Sequence, residues 1–510
     1  MLAKVQTATV VGVTAVEVRV EVDVADGLPG VTIVGLPDTT VRESKDRIKS
    51  ALKNTQFAWP QTRITVNLAP ADVRKEGSAF DLPIALGLLA ASRQLELGMF
   101  TDIVALGELA LDGALRPIPG VLAVALSLKG KGKRLLLPAA NAPEAAVVGE
   151  VPVVPITHLH QAIGFLKGAE AVAPLTGNPG EWLKPPSPDG LDFSEVKGQH
   201  VAKRAIEVAV AGGHNLLLYG PPGAGKTMLA QRIPTIMPPI SLEEALQATL
   251  IYSVMGMVPP ERPLVTERPF RAPHHSISDA GLIGGGAVPK PGEISLAHHG
   301  VLFLDELPEF SRPALECLRQ PLEEGQVTIC RVQGTVTFPA RIMLVASMNP
   351  CPCGFSGEPA RTCLCSPSQI QKYRSKVSGP LLDRIDIHLE VPALSVPELT
   401  GDGQGESSCV IRARIAEVRA RQRKRFEGEP RIFTNAQMRY RQLKRFCRTQ
   451  EKGRQLLKRA IPTLGLSARA YDKILKVSRT IADLAGSEEI QPEHLAEAIQ
   501  YRALDRSTWV

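Results

Sequence analysis

A phosphate-binding loop motif at residues 220–227 constrains the fold of this chain more than any other feature. It matches G-x-x-x-x-G-K-[ST] in full, follows the apolar run Leu216–Tyr219 and precedes the helix-forming residues 228–230. Glycines let such a loop curve so that successive N–H groups face phosphate oxygens at a helix start. The motif predicts a strand–loop–helix unit whose nucleotide contacts are Gly220, Pro221, Pro222, Gly223, Ala224, Gly225, Lys226 and Thr227.

A second motif supplies two acidic side chains. Val301–Leu304 is a short apolar run typical of a buried parallel strand, and Asp305 and Glu306 follow it directly. Ligands of open α/β sheets bind beyond the carboxyl ends of the strands. We therefore expect Asp305 and Thr227 to hold Mg²⁺, Lys226 to reach the β- and γ-phosphates, and Glu306 to polarise an attacking water. Together the two motifs predict an ATP-hydrolysing domain.

Composition indicates a multidomain globular protein. The chain has 510 residues, of which 44% are hydrophobic and 22% charged, enough for about three domains of ordinary size. No stretch approaches the roughly 18 apolar residues of a membrane span, and the N-terminus lacks signal-peptide character. We therefore expect a cytoplasmic location without membrane partners, and eight cysteines that serve as thiols or metal ligands rather than disulfides.

Local composition divides the chain into three domains and two linkers. Residues 1–170 predict an α/β domain, residues 193–395 carry the nucleotide motifs, and residues 409–510 show helical spacing. Five prolines and three glycines mark residues 171–192 as a linker, and Gly, Ser, Pro and acids mark residues 396–408 as another. In the first domain we predict strands at 31–34, 63–68, 103–107 and 134–137, and helices at 42–52 and 80–91.

The charge of the chain is concentrated near its C-terminus. The net charge is +7, but residues 411–459 hold 17 Lys/Arg and 4 Asp/Glu, a balance of +13 that leaves the remainder at −6. A basic segment on a mildly acidic protein is the pattern expected for binding a phosphate polymer, while a solvated helical face is the alternative. Because aromatic residues make up only 4% of the chain, base stacking is not expected to dominate such binding.

The later motifs follow an order that resembles the AAA+ superfamily. Residues 344–349 (LVASMN) form an apolar run whose final Asn349 resembles sensor 1, which helps to orient the attacking water. Residues 379–386 resemble the arginine-finger segment of the magnesium-chelatase and MCM-like branch, which implies that Arg384 contacts the γ-phosphate of a neighbouring subunit. Arg469 resembles the sensor 2 arginine, and the resemblance leaves its action in cis or in trans open.

The resemblance reaches the level of one family, the YifB/ComM family of magnesium-chelatase-like ATPases. Val196, Gly198 and Gln199 match its stretch around adenine. Further similar segments are residues 271–275, 284–286, 298–300 and 349–354, with 35–38, 67–72 and 76–81 in the N-terminal domain.

Membership in this family implies three folded parts. They are a Lon-protease-like (ribosomal S5 domain 2-like) α/β domain, a central AAA+ parallel-sheet domain and a C-terminal helical lid. It also implies ATP and Mg²⁺ as cofactors and a homo-oligomeric ring, by family analogy a hexamer. Such a ring would act on branched or forked DNA as a branch-migration helicase in recombination or natural transformation. The alternative is a chelatase-like or other ATP-driven remodelling subunit.

The Lon-like resemblance does not extend to the peptidase dyad. Ala79 falls where the serine nucleophile of Lon-type peptidases lies, and Val124 falls where their lysine lies. Ser78 is one position away, but nucleophilic catalysis needs a base in reach of the hydroxyl and the motif supplies none. We therefore expect a binding or assembly domain without peptidase activity.

Four closely spaced cysteines follow Asn349. Thiolates in a reducing compartment can close a tetrahedral zinc site, which we expect to brace a loop, although buried thiols or redox-sensitive pairs stay open because C-x-C spacing is unusually tight. The predicted ligands are Cys351, Cys353, Cys363 and Cys365. The pairs at 274–275 and 298–299 are adjacent histidines that cannot easily face one ion, so we expect loop hydrogen bonds there.

Two insertions are candidate DNA contacts. Residues 261–299 resemble the helix-2 insert of this AAA+ branch, and residues 327–339 alternate apolar and polar around Gln333-Gly334. Asn-Gly-like dipeptides at such a centre favour a two-residue hairpin, and this one resembles the pre-sensor-1 hairpin of related hexamers. Arg331 near its tip is the candidate contact, and an incidental surface arginine is the alternative.

Overall fold

The chain forms two compact units. The computed structural model describes residues 1–183, 190–331, 334–359, 361–393, 405–429, 432–464 and 467–502. Unit 1 comprises Met1–Lys184 and Ser241–Thr266, and unit 2 comprises Pro185–Ile240 and Glu267–Val510. The helix Leu242–Val254 lies inside the predicted 193–395 domain in sequence, yet it packs in unit 1, where its Leu246 and Leu250 cover an apolar cluster.

Unit 1 is built on a seven-stranded mixed sheet. Its spatial order is Gly30–Val34, Arg63–Ala69, Thr14–Ala25, Leu2–Val11, Ile103–Ala105, Arg134–Pro138 and Val153–Ile156. All four predicted strands lie in this sheet, whereas the long hairpin Leu2–Val11 with Thr14–Ala25 was not predicted. The α-helices are Thr39–Asn54, Asp81–Ala91, Val121–Leu128, Ala142–Ala146, Leu159–Leu166, Pro179–Trp182 and Leu242–Val254. The helix Asp81–Ala91 is buried along its whole length, which explains its continuous apolar sequence.

Part of the predicted linker 171–192 is ordered against unit 1. The backbone of Leu175 exchanges two hydrogen bonds with Val153, and Trp182 packs on the apolar cluster that also contains Val121. These two apolar residues attach the first part of the segment to unit 1. Residues 184–189, and most of the second predicted linker 396–408, lie outside the described residues.

Unit 2 is built on five parallel strands. Their spatial order is Phe270–Arg271, Val301–Leu304, Met343–Met348, Leu216–Tyr219 and Ile387–Glu390. The mixed α/β architecture with a parallel sheet is thus confirmed. Two short antiparallel hairpins, Gly284–Gly285 with Lys290–Pro291 and Gln326–Arg331 with Gly334–Pro339, extend from it. The flanking helices are His200–Gly212, Lys226–Ile236, Asp279–Ile283, Glu293–Leu296, Arg312–Cys317, Arg319–Glu324, Pro367–Arg374 and Gly379–Leu382.

The C-terminal part of unit 2 is helical, as its sequence spacing predicts. Its α-helices are Ser408–Arg425, Tyr440–Phe446, Glu451–Leu464, Ala468–Leu484 and Pro492–Gln500. The helix Ala468–Leu484 buries Ile474, Val477 and Ile481 in the same core as the strands of the sheet. Within the described parts of the chain, no helix has both the length and the hydropathy of a membrane span.

A buried ion network joins the helical part to the sheet. Asp386, just before the edge strand, lies 2.7 Å from Lys473 Nζ and 3.3 Å from His214 Nδ1. Burial raises the pKa of Asp386, whereas the positive charge of Lys473 and the hydrogen bond from His214 lower it. The lowering effects are larger, so the pKa of Asp386 lies below its usual range. The ionised carboxylate therefore stabilises the folded state.

Replacing Asp386 by Asn is expected to destabilise the protein by about 3–5 kcal/mol at neutral pH, because Lys473 stays buried without its partner. The folded-state pKa of Asp386 is depressed, so its contribution is present above the unfolded-state pKa and is lost as pH falls below it. Urea unfolding should show a constant difference between wild type and variant down to about pH 5, shrinking below about pH 4. Asp383→Asn, at a half-exposed neighbour, is the control; an equal loss from both variants would contradict this role.

Candidate active site

The strand order of unit 2 brings three of the predicted catalytic residues, Lys226, Glu306 and Asn349, to one edge of the sheet. The strand Met343–Met348 lies between the strand that precedes the phosphate loop and the strand that precedes Asp305. All three run parallel, so Asn349, Gly220 and Asp305 follow the carboxyl ends of neighbouring strands. This is the edge at which open α/β sheets bind ligands.

Lys226 is held at the centre of this edge. Its Nζ donates to the carbonyl oxygens of Gly220 at 2.7 Å and Pro221 at 2.8 Å, and to Asn349 Oδ1 at 3.0 Å. Burial lowers the pKa of Lys226, while the nearby Asp305 and Glu306 oppose that shift. This contact brings the Asn349 amide to the Lys226 amine, and contact of both groups with one phosphate stays a prediction.

Asp305 and Thr227 form the predicted pair of oxygen donors. Thr227 Oγ1 donates to Asp305 Oδ2 at 2.8 Å, and Ser347 Oγ donates to Asp305 Oδ1. A hydroxyl and a carboxylate at this separation suit Mg²⁺, which prefers oxygen ligands and retains several waters. Ser347 was not predicted, because a buried serine within an apolar strand resembles an ordinary core residue; its hydroxyl fixes the orientation of the Asp305 carboxylate.

Glu306 projects from the same loop in an unusual backbone conformation. Its φ is 53°, and its N–H donates to Asp305 Oδ1 at 3.0 Å. The left-handed region is uncommon for a residue with a Cβ and recurs at functional sites. Its carboxylate is about half exposed and lies 3.5 Å from His275 Nδ1. Sequence reasoning missed His275 as a partner of Glu306 because it is 31 positions away and follows a different strand.

The stretch predicted to surround adenine packs against the loop. Gln199 is buried with φ 51°, and its Nε2 donates to the carbonyl oxygens of Ala224 at 3.3 Å and Pro392 at 2.9 Å. The Val196 carbonyl accepts a hydrogen bond from Lys203, and Gly198 has φ 56°. Gln199 therefore contacts the phosphate loop directly, and the adenine contact of Val196, Gly198 and Gln199 stays a prediction.

Arg384 and Arg469 are not part of this cluster. The Arg384 carbonyl accepts a hydrogen bond from Asn215 Nδ2. Asn215 lies just before the strand Leu216–Tyr219, whereas the phosphate loop follows the last residue of that strand. Four strand residues span about 13 Å, so Arg384 lies at the opposite edge of the sheet, where its guanidinium pairs with Glu323. Arg469 is the second residue of the helix Ala468–Leu484 and is exposed. Neither position contradicts a role toward a neighbouring subunit.

The predicted hairpin is present as the strands Gln326–Arg331 and Gly334–Pro339. Gly334 pairs with Arg331 and so belongs to the second strand, whereas Gln333 of the predicted turn lies outside the described residues. Arg331 is exposed at the end of its strand. A Cβ added to Gly285 would lie 3.3 Å from Arg331 Nη2, so the hairpin of the helix-2 insert adjoins this one.

The other histidines of the predicted pairs hydrogen-bond within loops, as expected. His298 is buried and its Nδ1 accepts from the Arg341 N–H at 2.9 Å. Burial lowers the pKa of His298 to about 2, so its ring is neutral. His274 Nδ1 lies 2.8 Å from Ser276 Oγ. Among the described residues, only the cluster Cys351, Cys353, Cys363 and Cys365 has the arrangement of a metal site.

The position of the Lon-type dyad in unit 1 holds no matching pair. Ser78 Oγ donates to Glu108, and Val124 is buried in an apolar cluster. The nearby Lys75 is fully buried, and its Nζ donates to the carbonyl oxygens of Pro70 and Val73. Its amine is thus committed to backbone carbonyls. Ser78 and Lys75 therefore have different partners and do not form a Ser–Lys dyad, and the absence of peptidase activity stays a prediction.

A parallel sheet with this loop, its lysine and a following pair of acids defines a P-loop nucleoside triphosphatase site. Three family descriptions match the chain: Subunit ChlI of Mg-chelatase at residues 20–141, Magnesium chelatase, subunit ChlI at 192–399, and Magnesium chelatase, subunit ChlI C-terminal at 405–502. The chain is 46% identical over 515 residues to competence protein ComM of Haemophilus influenzae and 43% identical over 514 residues to the protein YifB of Escherichia coli. Each match covers 99% of this chain and 98% of the relative.

The chain therefore belongs to the YifB/ComM family of magnesium-chelatase-like proteins. A shorter similarity, 28% identical over 149 residues and 26% of each chain, is to Lon protease 2 of Bacillus subtilis. Family membership and the assembled loop, lysine and acids together support ATPase activity.

Proposed function

We propose that this protein is an ATP-driven motor that acts on DNA, assembled as a ring around or beside branched or forked strands. The observation that carries the proposal is an exposed basic surface in the same unit as the ATP site. Residues 439–459 hold nine Lys/Arg and one Glu, and all nine basic side chains are exposed. We call residues 439–459 the basic surface.

The basic surface is narrower than the segment that composition singles out. In the helix Ser408–Arg425, Arg414 pairs with Glu207 and Glu406, and Arg425 pairs with Asp483. Arg419 and Arg421 donate to backbone carbonyl oxygens. These arginines hold the helix against its own unit, so we assign DNA contact to the residues that follow it. Phosphate contacts by Lys and Arg dominate affinity for nucleic acid.

Two hairpins support movement along the polymer. Arg331 and Lys290 are exposed on the adjoining hairpins of unit 2. Glu306, the proposed catalytic base, lies within the same unit, and the hairpin Gln326–Arg331 with Gly334–Pro339 leads in sequence into the strand Met343–Met348, which pairs with the strand that precedes Glu306. We propose that these hairpins contact the DNA backbone as nucleotide state changes, and that the ring has six subunits. The name of the similar protein ComM, a competence protein, supports recombination during DNA uptake as the pathway.

Charge reversal on the basic surface tests the proposal. Arg441→Glu, Lys444→Glu and Arg448→Glu combined should weaken binding of forked DNA by about 10–1000-fold, and reduce the slope of log affinity against log salt by about one per lost phosphate contact. Fluorescence anisotropy across a salt series measures both. Arg42→Glu, Lys45→Glu and Lys49→Glu combined, at three exposed positions of the unit 1 helix Thr39–Asn54, is the charge-matched control.

ATP turnover separates the DNA motor from a chelatase-like or other remodelling subunit. A DNA motor should hydrolyse ATP faster when forked DNA is added to the full-length protein, and the triple charge reversal should remove that stimulation. Turnover that is indifferent to every DNA form, or binding that is indifferent to salt, would favour the remodelling role instead.

A further inference from the structure

The four cysteines that follow Asn349 converge on one point in unit 2. Their sulfur atoms all lie within 4.8 Å of one another. The Sγ–Sγ distances are 3.3 Å for Cys351 and Cys353, 3.7 Å for Cys351 and Cys363, and 3.6 Å for Cys353 and Cys363. A tetrahedral ion with Zn–S bonds of about 2.3 Å separates its thiolates by about 3.8 Å. The cluster has the dimensions of a single tetrahedral site.

The surrounding loop is arranged around these sulfur atoms. Cys351 is fully buried, and its Sγ accepts from the Ser356 N–H at 3.3 Å, a contact of the kind that orients a metal ligand. Leu364 is 87% exposed although it is apolar. Turning Cys363 and Cys365 inward forces the residue between them to face solvent. Apolar packing therefore does not account for the conformation of this loop, whereas ligation of a shared ion does.

The cluster is directly connected to the ATP site. Cys351 is two residues after Asn349, whose Oδ1 accepts from Lys226. Gly354 has φ 86°, and a Cβ added there would lie 2.6 Å from Pro222 Cδ in the phosphate loop. The backbone that follows Cys353 thus lies against the loop without room for a side chain.

The other half of the cluster reaches the same place through a helix. Ser366, directly after Cys365, caps the helix Pro367–Arg374, because its Oγ accepts a hydrogen bond from the Gln369 N–H. At the other end of this helix, Arg374 Nε donates to the Pro350 carbonyl at 3.2 Å and Nη2 donates to Tyr219 OH at 3.1 Å. Tyr219 is the last residue of the strand that leads into the phosphate loop. The segment that carries the four cysteines is therefore attached to the phosphate-loop region at both of its ends.

We infer that Cys351, Cys353, Cys363 and Cys365 bind one Zn²⁺ and that this zinc holds the phosphate loop and Asn349 in the geometry that binds ATP. Zinc and nucleotide are then coupled ligands, and coupling between two binding sites is reciprocal. Loss of zinc weakens nucleotide binding, and bound nucleotide strengthens zinc binding by the same coupling free energy. This inference requires nucleotide binding but not the proposed action on DNA.

The first test measures zinc rather than activity. Elemental analysis of the full-length protein should find about one zinc per chain, as four thiolate ligands in one site require. At equilibrium with a chromogenic zinc chelator, in excess Mg²⁺, the protein should bind zinc about tenfold more tightly when a non-hydrolysable ATP analogue is present. Lys226→Ala should keep its zinc but show no such increase in zinc affinity, because its loop no longer holds the analogue.

The second test measures nucleotide affinity. Cys363→Ser should lose zinc and bind a fluorescent ATP analogue about tenfold more weakly, whereas Cys409→Ser, at an exposed free cysteine, should match wild type. Zinc-depleted wild type, restored by added zinc, gives the same comparison if Cys363→Ser does not fold. Metal-free protein, or iron in place of zinc, overturns the assignment. Full zinc, with a zinc affinity unchanged by the analogue and a nucleotide affinity unchanged by zinc, overturns the coupling.

Discussion

Replacing Glu306 by Gln is expected to reduce ATP turnover by about 100-fold or more while ATP affinity stays unchanged. A positioned general base contributes about 10²–10⁴ to rate, and Gln keeps the shape of the side chain but cannot accept the proton of the attacking water. Among the described residues, the Glu306 side chain forms no hydrogen bond with Lys226 or the loop backbone; its carboxylate lies 3.5 Å from His275 Nδ1, and its N–H donates to Asp305 and Ser347. Binding contacts should therefore survive the substitution.

Lys226→Ala gives the opposite result and serves as the comparison. Its Nζ is bonded to two loop carbonyls and to Asn349, so its removal disturbs the phosphate loop itself as well as the phosphate contact. We expect weak nucleotide binding and negligible turnover. Isothermal calorimetry with an ATP analogue and a phosphate-release assay separate the two variants. Wild-type turnover by Glu306→Gln would show that another group activates the water.

The parts of the site that are encoded locally were predictable from the sequence. The phosphate loop, Asp305-Glu306 and Asn349 each follow an apolar run, and the parallel sheet brings the ends of these runs together because all the strands share one direction. Short-range glycine and carboxylate patterns suffice for such residues. The same logic predicted four of the seven strands in the unit 1 sheet, where apolar runs are bounded by polar turns.

Contacts between distant segments were not predictable in this way. His275 meets Glu306, and Ser347 meets Asp305, only after the sheet has formed. The helix Leu242–Val254 follows the phosphate-loop helix in sequence but packs in unit 1, since its Leu246 and Leu250 find apolar partners there. Domain boundaries drawn from composition do not detect residues 241–266 as part of unit 1, because the composition of this segment is like that of its neighbours in sequence.

The basic segment shows a different limit of sequence reasoning. A count of charges does not distinguish paired arginines from exposed ones. Arg414 and Arg425 form ion pairs inside unit 2, whereas Arg441 and Lys444 are exposed. Helical spacing alone does not reveal which face will meet Glu207 or Asp483. The structure therefore moves the expected DNA contact toward residues 439–459.

Arg384→Ala is expected to lower ATP turnover by about 10³-fold or more, the usual effect of removing an arginine finger. Arg384 lies at the sheet edge opposite its own phosphate loop, so this effect requires a neighbouring subunit. Its guanidinium is paired with Glu323 and its side chain is only 11% exposed, so it must leave that partner to act in trans. Glu323→Ala is the matched control: it breaks the same ion pair but keeps the arginine, and it should retain turnover. Equal losses from both variants would mean that the ion pair, rather than a finger, matters.

Mixing two inactive variants decides whether Arg384 acts between subunits. An Arg384→Ala subunit keeps its own phosphate loop, and a Lys226→Ala subunit keeps its own Arg384. Activity therefore returns only at an interface where the Lys226→Ala subunit supplies Arg384 to the ATP site of an Arg384→Ala subunit. Head-to-tail contacts that close into a ring make this arrangement at about a quarter of the interfaces in an equal mixture. Turnover should therefore rise from near zero to a measurable fraction of wild type, and the specific rate of wild type should increase with protein concentration until rings are complete. If Arg384 served its own chain, every subunit in the mixture would carry a broken site and no activity would return.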